Sequence, residues 1–293
     1  ITLLNPNTGT CPVFRTRRDA EITLGIYRRV PVLINETDPE GGNPWGIKFS
    51  QGLFNMTSDS HLFHTREELE AEGWTLVGNV FERTVIHQAG GHQEERTERM
   101  LPLYEAKMLH LYDTRWATYE SDGSTRLMTE EEKAAGLNPM PRYWVNELEI
   151  DEQLNEVWEQ HWFLGWRDVC RSTDMRTVIT TRVPRLGFGD KWLLAMPSAG
   201  QIELQAIWSS FVFDFAARQK IGGTAMKFFT FRQLPVPEPS QFKSTRPNLG
   251  CPLPTWLTRR VERLNSWIVN PDERTSVRAE LDAAMFHLYG INR

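Results

Sequence analysis

The chain has 293 residues, a net charge of −5 and a hydrophobic content of 40%, which is ordinary for a soluble globular protein of one large or two smaller domains. Its apolar stretches are interrupted well before the roughly 18 residues that a membrane-spanning helix needs, and no charged-then-apolar leader opens the chain, so we expect a cytoplasmic location and no membrane partner. The three cysteines are far apart and form no CxxC pair, which argues against a disulfide framework and a cysteine-based zinc site.

In chain order, the first predicted helix covers residues 19–29. Thr65 with Glu68, and Thr129 with Glu132, then have the spacing of a capping box, in which the hydroxyl and the carboxylate each accept a hydrogen bond from a free amide at a helix start. We therefore predict a short helix after each threonine.

Alternation of β-branched or aromatic residues with polar ones over 74–87 and 167–194 predicts half-buried strands. Within the second stretch, residues 186–189 (Leu-Gly-Phe-Gly) are interpreted as a hairpin turn. After Ser198 a helical period predicts one long amphipathic helix, which ends at Gly222-Gly223, where paired glycines permit a sharp reversal or a close approach of the backbone to another group. The apolar positions of this helix are Leu204, Ile207, Trp208, Phe211, Val212 and Phe215.

Residues 226–231 have the composition of a strand, and two further helices are predicted after Thr255 and Thr275. The fold class expected from these elements is α+β, with a mixed or antiparallel sheet flanked by helices and with helices at the C terminus.

Charge is unevenly distributed along the chain. Residues 120–159 contain eleven acidic and three basic side chains, whereas residues 161–246 contain twelve basic and six acidic ones. Such segregation indicates a nucleic-acid-binding surface, with a solvated face of mixed charge as the alternative.

Motifs for catalysis are weak. An amino-methyltransferase that acts on DNA needs an Asn or Asp followed by two prolines and an aromatic residue, and the sequence has no Pro-Pro pair. His61 and His64 have a metal-ligand spacing, but no nearby cysteine completes a ligand set, so no metal site is expected. Because the methyltransferase motif is missing, no catalytic residue is expected either. Glu105 and Lys107 match half of a metal-dependent nuclease signature.

Several stretches resemble the region that follows the catalytic domain in bacterial adenine-specific DNA methyltransferases and type IIG restriction-modification enzymes. The most specific is Phe213-Asp214-Phe215-Ala216-Ala217-Arg218-Gln219-Lys220-Ile221-Gly222-Gly223-Thr224, followed by Gln233-Leu234-Pro235-Val236-Pro237. The others begin at Asn5, Pro12, Leu101, Arg115, Gly165, Arg176 and Arg278.

The resemblance implies a target-recognition domain over residues 104–240 that binds double-stranded DNA, preceded by a segment 1–103 that joins a catalytic domain missing from this chain. Residues 241–293 are then a C-terminal helical segment. Residue 1 is Ile and residues 5–9 suggest a loop entered from upstream, which agrees with a preceding domain. S-adenosylmethionine is expected as the cofactor of the parent enzyme and no cofactor in this fragment, so the fragment alone is expected not to methylate.

Nine basic residues are assigned provisional roles. Side chains beside the glycine pair are expected to hold phosphates, and side chains in predicted turns are expected to read bases, because arginine can grip guanine O6 and N7 with two hydrogen bonds. Those that match the family pattern are expected to serve the framework or the DNA backbone. The phosphate set is Arg218, Lys220 and Lys227; the base set is Arg171, Arg185 and Lys191; the framework set is Arg167, Arg176 and Arg182.

Two other functions stay open at this point. A tryptophan-rich surface with the acidic segment would suit a protein-docking module of a phage-defence complex. Glu105 and Lys107 would suit a metal-dependent nuclease.

Overall fold

A computed structural model describes residues 2–89, 92–243, 249–266 and 270–291 of the chain. The protein is a mixed α+β structure, as the sequence predicted. The helices are α1 (Arg17–Tyr27), α2 (Arg66–Ala71), α3 (Glu130–Ala134), α4 (Glu147–Leu154), α5 (Gln201–Trp208), α6 (Phe211–Lys220), α7 (Phe228–Phe231), α8 (Leu253–Asn265) and α9 (Pro271–Leu288), with short 3-10 helices at Ser60–Leu62, Ala106–Met108 and Pro239–Phe242.

The strands of the described residues form three sheets. The strands are β1 (Lys48–Ser50), β2 (Thr75–Val77), β3 (Val80–Ala89), β4 (His92–Tyr104), β5 (Ala117–Tyr119), β6 (Thr125–Leu127), β7 (Tyr143–Asn146), β8 (Trp162–Arg167), β9 (Thr180–Pro184), β10 (Gly187–Phe188) and β11 (Trp192–Met196). One sheet has the order β1-β11-β8-β9, a second has β10-β4-β3-β2 with β7 also paired to β4, and a third contains β5 and β6. β3 and β4 are antiparallel, with Phe81 opposite Met100, whereas β10 runs parallel to β4.

The chain divides into two compact units. The first unit comprises residues 1–49, 164–182 and 195–293, and the second comprises residues 50–163 and 183–194. The predicted segments 1–103, 104–240 and 241–293 have other bounds than these two units. They are assigned by expected function and not by compactness, so they stay a prediction.

Aromatic rings form much of the core of the first unit. Trp166 is stacked on Phe231 with a centroid distance of 3.9 Å, and Trp208 meets Phe231 edge-on at 4.9 Å. The Trp166 indole nitrogen donates to the Met226 carbonyl oxygen at 2.8 Å, so the buried ring is also satisfied as a donor. Because these rings come from β8, α5 and α7, their packing holds these three elements together.

The core of the second unit forms where helix α2 packs beside the β3–β4 hairpin. Its buried side chains are Leu69, Trp74, Phe81, Met100 and Trp144.

Most tryptophans belong to the interior rather than to a surface. Of the ten that the structure describes, six are buried and four are partly buried, and Trp267 lies outside the described residues. The six buried tryptophans therefore have no part in the expected tryptophan-rich docking surface, because burial of a large ring stabilises the core; that surface stays a prediction for the partly buried ones.

Both predicted capping boxes are confirmed. Thr65 and Thr129 each cap a helix together with the glutamate three residues later. The C-terminal helices α8 and α9 are confirmed as well, although each begins a few residues earlier than the sequence indicated.

The predicted long helix after Ser198 is divided. It consists of α5 and α6, separated at Ser209-Ser210, where the Ser210 hydroxyl accepts the Phe213 amide at 3.3 Å and Asp282 accepts the Phe211 amide at 2.7 Å. Serine favours a helix cap over a helix interior, and this preference overrides the continuous apolar period.

Two short predictions are wrong. Residues 228–231 form a helix rather than a strand, because so short a stretch of mainly aromatic residues has no period that separates the two. Residues 187–188 form strand β10 rather than a hairpin turn. The missing side chain of Gly187 serves close packing there, since a Cβ would lie 2.9 Å from Val145 Cγ1.

Candidate nucleic-acid interface

Two segments of the first unit run antiparallel at the candidate interface. Val169 pairs with Ala225 in an isolated bridge, and the Cys170 amide donates to the Thr224 carbonyl oxygen at 3.0 Å. The pairing places the glycine turn, Gly222-Gly223, beside the chain that leads into the 171–175 loop. The structure thus brings together two features that the sequence separates by about 50 residues.

Arg218 holds the backbone of the 171–175 loop. Its Nη1 donates to the Ser172 carbonyl oxygen at 3.2 Å, and its Nη2 donates to the carbonyl oxygens of Asp174 and Met175 at 2.6 and 2.7 Å. Its Nε donates to Asp214 Oδ2 at 2.7 Å, one turn earlier on α6. A planar guanidinium with five N–H donors can make all these bonds together, whereas an ammonium cannot.

Asp214 holds the chain that follows the loop. Its Oδ1 accepts the amides of Thr177 and Val178, both at 2.8 Å, while Oδ2 accepts Arg218. The Asp214 side chain is only 5% exposed, and a buried carboxylate requires such paired and hydrogen-bonded surroundings. The loop is therefore fixed on both sides by one helix.

The side chains of this loop point outward. Arg171 is exposed and makes no ion pair within the described part of the chain. Met175 is 95% exposed. Arg15 Nη2 donates to Ser172 Oγ at 2.8 Å, which adds a second arginine to the same surface. A hydrogen-bonded backbone thus presents exposed side chains at Arg171 and Met175.

The three predicted phosphate ligands have internal partners. Arg218 supports the loop as described, and Lys227 pairs with the buried Asp168 at 2.7 Å while its side chain stays 35% exposed. Lys220 donates to Leu4 O, to Asn5 Oδ1 at 2.9 Å and to Gln233 O at 2.6 Å, and burial lowers the pKa of its ammonium group to about 7. With three acceptors already in place, this ammonium has no proton left for a phosphate.

The predicted base-reading residues do not share one setting. Arg171 belongs to the first unit, whereas Arg185 and Lys191 belong to the second. Arg185 pairs with Asp151 at 2.6 Å, and Lys191 pairs with Asp190 at 2.8 Å.

The predicted framework residues make contacts inside the first unit. Arg176 is 6% exposed, donates to the Ser209 carbonyl oxygen and lies over the Phe211 ring at 4.4 Å. Arg182 pairs with Glu262 of α8 at 2.8 Å. Burial lowers the pKa of Arg167. Surrounded in this way, Arg176 and Arg182 stabilise the first unit.

Glu105 and Lys107 meet at a tyrosine in the second unit. The Tyr119 hydroxyl donates to the Glu105 carboxylate, and Lys107 Nζ lies 4.5 Å from the centroid of the Tyr119 ring. Burial, with the Glu105 hydrogen bond as the next cause, raises the pKa of Tyr119. Across the described residues, no group of three or more His, Cys, Asp or Glu side chains is arranged to hold a metal ion.

Sequence reasoning missed the roles of Asp214 and Arg15. A signal for Asp214 was present, since it precedes Arg218 by four residues on a predicted helix, which is the spacing of a side-chain pair on one face. No local signal relates Arg15 to Ser172, because 157 positions separate them.

The comparisons with known proteins give no family. No protein-family model matches the chain, and no curated protein matches its sequence. Among the described residues, no helix combines the length and the apolar composition that crossing a bilayer requires.

Replacing Arg218 by lysine should loosen the 171–175 loop while keeping the charge beside Asp214. Lysine lacks the fork that reaches three carbonyl oxygens, so we expect amide exchange over residues 171–178 to become about tenfold faster, equivalent to about 1.4 kcal/mol. Hydrogen-exchange mass spectrometry measures this change. Arg17→Lys, in the exposed Arg17–Glu21 pair of α1, is the matched control. Equal exchange in wild type and Arg218→Lys would show that other contacts hold the loop.

Proposed function

We propose that this chain recognises a sequence in duplex DNA, as the specificity part of an adenine-N6 DNA methyltransferase or restriction-modification enzyme. The 171–175 loop carries the proposal, because Arg171 is exposed and without an ion pair among the described residues while Arg218 and Asp214 fix the backbone beneath it. Reading guanine O6 and N7 with two hydrogen bonds requires an arginine whose backbone is already in place. The resemblance of the 213–224 motif to the target-recognition region supports the same function.

The surroundings of Arg171 suit a polyanion. Arg15 contacts Ser172 next to it, and Lys227 follows the segment that pairs with residues 169–170. Both side chains reach solvent, and Lys227 is in addition paired with Asp168. We assign these two residues to phosphate contacts that set the register on the duplex. Lys220 has no part in this interface, since its ammonium is fully bonded inside the first unit.

The glycine turn also favours a partner that comes close. A Cβ on Gly222 or Gly223 would meet no described atom within 4 Å, and neither residue adopts the left-handed φ that requires glycine. The first unit therefore has no internal need for these glycines, although glycine lowers stability relative to alanine. Close approach of a DNA backbone to this turn would explain why both residues are glycines.

Methyl transfer belongs, in this proposal, to residues outside this sequence. A catalytic domain would bind S-adenosylmethionine, turn the target adenine out of the duplex and methylate its N6, because the 293 residues lack the Pro-Pro motif for that step.

One observation favours docking of a protein partner as a second function. An apolar cleft of about 500 Å³ in the first unit is lined by residues of α1, α6, α9 and the 171–175 loop, including Ile22, Phe215, Phe286 and Met175. Phe211 at this cleft is 54% exposed. Salt-dependent retention of the chain on a duplex-DNA column separates the two functions, because an apolar docking surface gives no such retention.

Substitution of Arg171 should change sequence preference. After selection from a random-sequence duplex pool, we expect Arg171→Ala to lose preference at one position, at a cost of about 1–3 kcal/mol for the wild-type sequence. Arg171→Lys should keep the salt dependence but not the preference, because lysine lacks the two-pronged grip. Arg66→Ala, which removes the same charge from α2, is the control. An unchanged consensus in Arg171→Ala contradicts the assigned role.

Alanine at the glycine turn should have opposite effects on stability and on binding. Gly222→Ala and Gly223→Ala should each raise the free energy of unfolding by about 0.4–1 kcal/mol, because they restrict the unfolded chain, and should weaken binding to the duplex pool. Urea unfolding and fluorescence anisotropy measure the two effects. Gly25→Ala in α1, where the nearest atom to a Cβ is 3.7 Å away, should raise stability without changing affinity. Binding unchanged at the glycine turn would show that DNA does not approach it.

A further inference from the structure

Met175 has an unusual setting in the first unit. It is 95% exposed, more than the other exposed large hydrophobic residues of the described chain. A methionine in this position contributes almost no burial to the fold, so its apolar side chain does not stabilise the protein through contacts within the chain.

The backbone at Met175 is held unusually well for so exposed a side chain. Its carbonyl oxygen accepts Arg218 Nη2 at 2.7 Å, and the next residue, Arg176, is buried. The two amides beyond that, of Thr177 and Val178, donate to Asp214. These hydrogen bonds fix the backbone beneath an exposed apolar side chain. Such fixing is unnecessary if the Met175 side chain contacts only water.

The position on the loop favours DNA as the partner within the proposed function. Met175 lies four residues from Arg171 on the same clamped loop and also lines the apolar cleft beside α6, so one duplex bound at Arg171 would lie within reach of the methionine. Proteins that kink DNA from the minor groove insert apolar side chains between neighbouring base pairs, and methionine is among the residues used. Arg171 would read O6 and N7 from the major groove, so Met175 would enter the neighbouring step from that side. Its unbranched chain and polarisable sulfur suit the narrow slit between two stacked bases.

We propose that Met175 is an apolar wedge that enters the base stack next to the position read by Arg171 and unstacks one base step. This inference rests on the proposed DNA recognition and adds to it a local deformation of the duplex. Sequence preference then arises both from Arg171 and from the ease with which a step is unstacked, which is greatest at pyrimidine–purine steps.

The test uses the duplex selected from the random pool, with 2-aminopurine placed at each position of the site in turn. Wild-type chain should raise the fluorescence at one step, because 2-aminopurine brightens when it is unstacked. Met175→Ala should abolish that increase and weaken binding about tenfold, while Met175→Leu, which keeps an apolar wedge, should restore both. Thermal midpoints should be the same for all three, since residue 175 is exposed.

Each other outcome has a definite meaning. If wild type binds the duplex without a fluorescence change, or if Met175→Ala behaves as wild type, the wedge is refuted and DNA recognition stands. If wild type binds no duplex at any salt concentration, both are refuted, and the apolar cleft that Met175 helps to line becomes a protein-docking surface.

Discussion

The candidate interface depends on the ion pair between Asp214 and Arg218. Asp214 is buried and accepts two backbone amides from the chain after the 171–175 loop, while Arg218 donates to three carbonyl oxygens within it. Removing Arg218 would leave the carboxylate of Asp214, which is 5% exposed, without its counterion, and this is strongly unfavourable. One turn of helix α6 thus determines the conformation of a loop about 40 residues earlier in the chain.

In the proposed function, the charged residues that stabilise the first unit are not the residue that reads the DNA. The charged groups within the first unit, such as Arg176, Arg182 and Lys220, are bonded to carbonyl oxygens or carboxylates of the same unit. Arg171 is exposed and makes no ion pair among the described residues, and in the proposed function its guanidinium donates to a base. Fixing the backbone in advance lowers the entropy lost on binding, so fewer contacts are needed for a given affinity. The proposed function therefore relies on a few exposed tips rather than on a broad basic face.

Local features of the fold could be read from the sequence, and distant pairings could not. The capping boxes at Thr65 and Thr129 use residues three positions apart, so their spacing alone predicts them. The partner of Arg182 is Glu262, 80 positions away, and no local pattern reveals it. The same limit applies to Lys220, whose acceptors include Asn5. A count of basic residues over 161–246 therefore overestimated the charge that is free of internal partners. The 213–224 motif contains Asp214 and Arg218, which hold the 171–175 loop; its resemblance to a target-recognition region stays a prediction.

Amide exchange of the chain with and without the selected duplex tests the central claim most directly. The account predicts that DNA protects residues 168–176 and 221–226 together, because the two segments pair and face the same partner. Protection confined to other segments, with these two unchanged, would contradict it.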